Sequence, residues 1–205
     1  MPHVKRSVLA AQATAIHEAG HTVAQWIETM LPGVKKVSII RTKNALGRMT
    51  PKSKKWEISL ASEAYVRAVI RVMMAGRIAE LICLGEAFLG SGDDIERATA
   101  LAHRVVAVEG MEKGFGLTNL GQMAQSEHVL KQVDLAVAKI LREERANAYN
   151  KLQKRKQDIL KVTFALLERK QLKTKDLKKI LGGRKKWKPK RGTLKRIPKS
   201  TRKKS

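Results

Sequence analysis

Residues 7–29 read SVLAAQATAIHEAGHTVAQWIET, and apolar side chains recur along this stretch at the spacing of an α-helix. The apolar positions are Val8, Ala11, Ala15, Ala19, Val23, Trp26 and Ile27. The segment Leu31-Pro32-Gly33 follows and stops the predicted helix. Because a helix holds residues four apart on nearly the same face, the polar residues inside this stretch acquire a predictable geometry.

Those polar residues form the pattern H-E-x-x-H at His17-Glu18-Ala19-Gly20-His21. The imidazoles of His17 and His21 lie on one face and can hold one cation between them. Zinc suits two imidazoles and a carboxylate, with a fourth position left for water. The metal would acidify that water and polarise a peptide carbonyl, while Glu18 would take the proton and pass it to the leaving amine. The pattern therefore predicts a zinc-dependent peptidase.

Two histidines need a third ligand, and the residues alone leave several candidates open. These candidates are Asp93, Asp94, Glu80, Glu86, His103 and His128. A carboxylate fits the ligand set of hydrolytic zinc sites. Asp93 and Asp94 are attractive because they follow Gly90-Ser91-Gly92 at the start of a predicted helix. Capping of that helix is the competing interpretation for both.

The rest of the chain predicts a mainly α fold with one small β element. Residues 34–40 are rich in β-formers and predict a strand, and residues 48–50 predict a second strand that pairs back on it. Further helices are predicted at about 59–84, 94–108, 126–170 (one broken helix or two) and 175–181. Gly85 is expected to cap the first of these.

The charge balance is strongly basic. The 205 residues carry 43 Lys or Arg and 18 Asp or Glu, a net charge of +25, which predicts attraction to polyanions. The single cysteine, Cys83, excludes an intramolecular disulfide and predicts the cytoplasm or another reducing compartment rather than secretion. No apolar run reaches the length of a membrane span.

The basic charge is densest after Gly183, where the chain reads RKKWKPKRGTLKRIPKSTRKKS without one acidic residue. This composition predicts a disordered tail, residues 184–205, after a folded domain of residues 1–183. The tail is expected to bind nucleic acid or a nucleoprotein, although a merely solvated tail is the alternative. Trp187 could stack on a base. The candidate polyanion-binding residues are Arg184, Lys185, Lys186, Trp187, Lys188, Lys190 and Arg191.

Five blocks in order resemble the peptidase domain of the FtsH family, the membrane-bound AAA+ zinc proteases. The blocks are HEAGH at 17–21, KVSII at 36–40 with ALG at 45–47, AGRIAE at 75–80, GSGDDIERAT at 90–99, and GM at 110–111 with Gly116. The resemblance covers about Val8 to Leu181. It implies a zincin-like helical peptidase domain of the FtsH type, cutting peptide bonds with one zinc per chain.

The resemblance also implies roles for particular residues. Asp94 occupies the position of the family's third zinc ligand. Asp93 would hydrogen-bond a ligand histidine or cap the helix. Glu80, the rival ligand, would instead pair with Arg77 or support a ligand histidine. The strand residues Val37, Ser38, Ile39 and Ile40 would form an exposed edge that binds an extended substrate by strand addition.

The chain also departs from the family pattern. No Gly-rich phosphate loop of the G-x-x-x-x-G-K-[ST] kind occurs in the sequence, and neither an ATPase module nor a membrane anchor is evident. We therefore expect cleavage of peptides and of unfolded or flexible chains, or help from a separate unfoldase. The resemblance implies a six-fold homo-oligomer. The alternative is a non-catalytic component that keeps the peptidase fold and attaches to a nucleoprotein assembly through its tail.

Overall fold

The computed structural model describes residues 2–42, 46–52, 61–112, 114, 119–120 and 126–185, with side chains from residue 8 onward. The elements, in chain order, are α1 Pro2–Ile27, β1 Val34–Ser38, β2 Arg48–Pro51, α2 Glu63–Leu84, α3 Gly92–Ala107, α4 Glu127–Gln153, α5 Lys156–Arg169, β3 Gln171–Lys173 and α6 Thr174–Leu181. The predicted mainly α fold with a small β element is confirmed.

Helices α1 and α2 form the centre of the domain and pack against each other through small residues. Ala19, Ala75 and Ala79 are fully buried, so the two helix backbones can approach closely. Helix α5 and the sheet cover the other side of α1, with Leu166 and Leu172 in the same apolar cluster. A second cluster joins α2, α3 and α4 and includes Ile70, Ala102, Val106 and Ile140.

The three strands form an antiparallel sheet in the order β2-β1-β3. Val37 on β1 pairs with Met49 on β2 and with Leu172 on β3. The predicted exposed edge at residues 37–40 is therefore wrong, because β1 is the middle strand and pairs on both sides. The strand also ends at Ser38. Beyond it, the Ile39 N–H donates to the Lys170 carbonyl at 2.9 Å.

Local signals explain most helix ends. The Ser62 hydroxyl accepts from the Tyr65 N–H at the start of α2, and Gly85 ends α2 in the left-handed region at φ 82°, as predicted. The long helical stretch predicted at 126–170 breaks at residues 154–155 into α4 and α5. Helix α1 begins at Pro2, five residues before the predicted start, and proline suits the first turn of a helix.

A cluster of charged residues ties α1, α2 and α4 together. Glu28, at the end of α1, accepts from the Arg71 Nε at 2.8 Å and from the Lys151 amine at 2.6 Å. Arg71 also pairs with the buried Glu144. Although burial raises the pKa of Glu28, the hydrogen bonds from Arg71 and Lys151 outweigh it and hold this pKa below its ordinary value.

Arg184 closes the carboxyl end of α1. Its guanidinium donates to the carbonyl oxygens of Glu28 and Leu31, both at 2.6 Å, and to that of Trp26 at 3.1 Å. These carbonyls lie where a helix runs out of its own donors. Arg184 was predicted to bind a polyanion, and the structure instead engages its side chain with the folded domain. Residues 186–205, the rest of the predicted tail, lie outside the described residues.

Candidate metal centre

Helix α1 presents His17 and His21 one turn apart on one face, and their Nε2 atoms are 3.0 Å from each other. Helix α3 brings the Oδ2 of Asp94 to 3.0 Å from the Nε2 of His21 and 3.4 Å from that of His17. Among the described residues, these three side chains are the one group of three or more potential ligands whose donor atoms converge. The cluster joins residues more than 70 positions apart in the chain.

The other nitrogens of the two rings determine which atoms face the centre of this cluster. The Nδ1 of His21 lies 2.7 Å from the carbonyl oxygen of Val72, which only accepts, so this Nδ1 carries the proton. The Nδ1 of His17 lies 2.6 Å from the Oε1 of Glu80 and donates to it in the same way. When both rings are neutral, as metal binding requires, each turns an unprotonated Nε2 toward the carboxylate of Asp94. Three lone pairs at this separation repel one another unless a cation lies among them.

The size of the cluster fits zinc. Zinc binds nitrogen and oxygen at about 2.0–2.2 Å, and ligands at the corners of such a tetrahedron are about 3.4 Å apart. The three observed separations, 3.0, 3.0 and 3.4 Å, are close to that value. Two imidazoles and one carboxylate are also the ligand set of zinc hydrolases, which keep the fourth position open.

The local field favours positive charge at this point. Burial lowers the pKa of His17, but hydrogen bonds to Asp94 and Glu80 outweigh it and raise that pKa to about 9. Burial acts in the opposite sense on Asp94, and the two histidines hold the pKa of its carboxyl well below the ordinary range. A proton or a metal cation among the three side chains is therefore stabilised by the surrounding charges.

Glu18 lies beside the cluster in a closely packed position. Its side chain is only 6% exposed, and its Oε2 has no hydrogen-bond partner among the described residues. Burial raises the pKa of Glu18, while His21, His17 and the Met49 N–H act against that rise. Gly47 passes so close that a Cβ there would lie 2.7 Å from the Cγ of Glu18 and 2.9 Å from its Oε1. A buried carboxylate with one oxygen free of a described partner suits a base that receives a proton from a small molecule.

Gly76 on α2 lies directly against the two histidines. A Cβ at this position would be 2.5 Å from the Nε2 of His17 and 2.6 Å from the Nε2 of His21. Only glycine leaves room for both rings. Gly76 belongs to the AGRIAE block at 75–80, and no role was predicted for it. It lies four residues before Glu80 on the same helix face, and this spacing could have placed it beside the histidines.

The structure distinguishes between the two predicted supporting carboxylates. Glu80 is buried; its Oε1 accepts from His17, and its Oε2 accepts from the Phe88 N–H at 2.8 Å. Asp93 is exposed and contacts neither histidine, because a helix turns successive side chains about 100° apart and Asp94 faces the cluster. The predicted Glu80–Arg77 pair is replaced by Glu80–His17, and Arg77 is exposed.

The remaining candidates lie apart from this centre. Glu86, His103 and His128 are all exposed and do not belong to the converging group. The strand nearest to Glu18 is the edge strand β2, through Gly47 and Met49, rather than β1. Of the predicted polyanion-binding residues, Lys185 is exposed, and residues 186–191 lie outside the part of the chain that the structure describes.

Sequence comparisons with known proteins identify one family. The sequence profile of "Peptidase family M41" matches residues 7–180. The "ATP-dependent zinc metalloprotease FtsH 4" of Sorangium cellulosum is 32% identical over 189 residues, covering 84% of this chain and 29% of the relative. The "ATP-dependent zinc metalloprotease FtsH" of Acidobacterium capsulatum is 31% identical over 186 residues, with the same two coverages. The "ATP-dependent zinc metalloprotease FtsH" of Thermus thermophilus is 30% identical over 181 residues, covering 83% of this chain and 29% of the relative.

This chain therefore spans less than a third of the length of the relatives it matches. Within the described residues, no helix combines the length and apolar character that crossing a membrane requires. The profile match covers most of α1, all of α2 to α5 and all but the last residue of α6, and it includes His17, Glu18, His21 and Asp94. The chain belongs to peptidase family M41.

Proposed function

We propose that this protein is a zinc-dependent endopeptidase that hydrolyses peptide bonds in unfolded or flexible polypeptides. The observation that carries the proposal is the convergence of two imidazole Nε2 atoms and one carboxylate oxygen beside the buried Glu18, whose Oε2 has no hydrogen-bond partner among the described residues. The names of the similar proteins, zinc metalloproteases, support both the metal and the reaction class.

Each residue of the centre takes one role in this proposal. His17, His21 and Asp94 hold the zinc, and Glu80 orients the ring of His17 through their 2.6 Å hydrogen bond. Zinc, when bound, supplies Lewis-acid polarisation of the scissile carbonyl and lowers the pKa of water. Glu18 accepts the proton of the attacking water and delivers it to the leaving amine. Its raised pKa suits this exchange, because a base must also release the proton it has gained.

The substrate is proposed to lie along the outer edge of β2. Within the described part of the chain this strand pairs with β1 alone, and its Met49 N–H is directed toward Glu18. An extended polypeptide hydrogen-bonded to that edge would pass beside Glu18 and the metal ligands. Main-chain pairing of this kind binds many sequences, which fits an enzyme with little sequence preference.

The partners follow from what the sequence contains. The 205 residues contain no Gly-rich phosphate loop, and a separate unfoldase that opens folded substrates is one proposed partner. A six-membered ring of identical chains and a reducing compartment remain predictions from family resemblance and cysteine content. The division into a peptidase domain, residues 1–183, and a basic tail, 184–205, is likewise proposed.

A second candidate function rests on the basic tail. Residues 184–205 hold twelve of the 43 basic residues and none of the 18 acidic ones. Such a segment binds nucleic acid or a nucleoprotein through the phosphates. The protein could then be a non-catalytic component with a peptidase fold, or a peptidase localised by its tail.

The test is cleavage of an unfolded protein such as casein, with the zinc content measured on each sample. We expect wild type to cut, and Glu18→Gln to bind zinc without cutting. Glu86→Gln, an exposed glutamate outside the centre, is the matched control and should cut normally. A chelator should stop wild-type cleavage, and added zinc should restore it. Zinc without cleavage in wild type would favour the non-catalytic candidate, and wild type without zinc would refute the proposal.

A further inference from the structure

The outer face of the three-stranded sheet carries one exposed cation on each strand. Lys36 lies on β1, Arg48 on β2 and Lys173 on β3, and all three are exposed. We call these three residues the basic sheet face. They project away from the core because Val37 and Leu172, which alternate with them along the strands, are fully buried. Ser38, Thr50 and Gln171 occupy neighbouring positions, so no apolar side chain belongs to this face.

The register places two of these cations directly opposite each other. Lys36 pairs with Lys173 across β1 and β3, where side chains begin about 5 Å apart. Like charges at such positions destabilise a sheet. A bound anion would remove this cost.

The described residues supply no acidic partner for the basic sheet face. None of its three cations forms an ion pair with a described acidic side chain. The nearest acid in sequence, Asp176, accepts from the Lys173 backbone N–H at 2.9 Å and pairs with Arg169 at 3.7 Å. Other cations of this protein do form ion pairs with acidic side chains, as Arg71 does with Glu28 and Glu144.

The excess of positive charge also extends beyond the tail. With the twelve cations of residues 184–205 set aside, residues 1–183 still carry 31 basic and 18 acidic residues, a net charge of +13. A folded domain with this excess attracts polyanions at long range, and the basic sheet face is a place on it where cations stand side by side.

We propose that the basic sheet face binds the phosphate backbone of a nucleic acid, independently of the tail and without reading sequence. Three strands about 4.8 Å apart spread the cations over about 10 Å. The cations are therefore close enough together to contact neighbouring phosphates of one strand. A membrane surface is a poorer partner, because the face offers no apolar residue to insert. Through Arg48 this surface adjoins the proposed substrate edge on β2, whereas the metal ligands and Glu18 lie on α1 and α3.

The experiment measures the binding of a labelled single-stranded oligonucleotide of about 20 nucleotides to the full-length protein over a range of salt concentrations. The test variant is Lys36→Gln/Arg48→Gln/Lys173→Gln. Each phosphate contact to a single strand contributes about 0.7 to the slope of log K against log salt. Removing three contacts should therefore make the slope shallower by about 2. The tail is intact in every sample, so it cannot account for the difference.

The matched control removes three exposed cations of α4 that form no ion pair with a described acidic side chain: Lys131→Gln/Arg142→Gln/Arg145→Gln. This variant has the same net charge as the test variant and should keep the wild-type slope. Equal changes in both variants, or no change in the test variant, would overturn the proposal. Wild-type binding to anionic vesicles or to an acidic peptide, without binding to the oligonucleotide, would also overturn it. If the triple variant fails to fold, Lys173→Gln alone should lower the slope by about 0.7.

Discussion

Replacing Gly76 by alanine should remove zinc from the protein while leaving the fold in place. The new Cβ would lie 2.5 Å from the Nε2 of His17 and 2.6 Å from that of His21. Carbon atoms rarely approach a neighbour closer than about 3.5 Å, so about 1 Å of overlap must be relieved. Both rings would have to move, because the backbone of α2 is packed between α1 and α4.

The displacement of the two rings can be compared with the tolerance of zinc binding and with that of folding stability. Zinc ligands must keep their distances to within about 0.2 Å, so a shift of about 1 Å at two of three ligands exceeds the tolerance several-fold. Losing one supporting contact of a ligand already costs about 10–100-fold in metal affinity. We expect Gly76→Ala to lose more than about 100-fold. Overpacking costs about 1–3 kcal/mol of stability, and alanine returns about 1 kcal/mol through its helix propensity.

The assay is a zinc titration against a competing chelator, alongside thermal unfolding of the metal-free protein. Gly92→Ala is the control, since a Cβ there would meet no atom within 4 Å. It should bind zinc like wild type. Retention of wild-type zinc affinity by Gly76→Ala would refute the geometry argued for the centre. Loss of zinc together with loss of the fold would show that the overlap is relieved by separating α1 from α2 instead.

Two further predictions concern carboxylates. Glu80→Gln should weaken zinc binding by about 10–100-fold, because the amide is a poorer acceptor for the His17 ring. An unchanged zinc affinity in the same chelator titration would show that Glu80 does not orient His17. The pKa of Glu28 is lower in the folded state than in the unfolded state. The stability that Glu28 contributes is therefore fully present above the unfolded-state pKa, and it is lost as pH falls through the folded-state pKa. Glu28→Gln should therefore be less stable than wild type to denaturant at neutral pH, and the difference should shrink as pH falls through the folded-state pKa. A difference that stays constant as pH falls would contradict this.

Several features of the centre were predictable from local sequence. The 3.6-residue periodicity of residues 7–29 predicts α1, and the spacing of His17 and His21 then places both rings on one face. These inferences need only neighbours within one turn of a helix. The identity of the third ligand is different in kind. Asp94 lies 73 residues beyond His21, and only family resemblance selected it from the six candidates.

The sheet shows where sequence reasoning failed and why. Residues 171–173 form β3, and a three-residue strand carries too little pattern to be recognised. Because β3 was not predicted, β1 was expected to be an edge strand. Its pairing with a segment more than 130 residues away makes it the middle strand and leaves the edge near Glu18 to β2. The role predicted for Arg184 was wrong because that contact is also long-range. The sequence around Arg184 has the composition of the tail, whereas its side chain binds carbonyl oxygens at the end of α1.

By itself, then, the sequence determined the mainly α fold class, the first helix and the metal chemistry that two histidines and a glutamate on that helix imply. These follow from local periodicity and from the properties of the side chains. The tertiary structure brought Asp94 to the histidines, a choice that side-chain chemistry alone had left open. It alone decided that Glu80 rather than Asp93 supports His17, that Gly76 must be small, and which strand borders the site. Each of these depends on contacts between segments distant in the chain, which arise only when the helices pack.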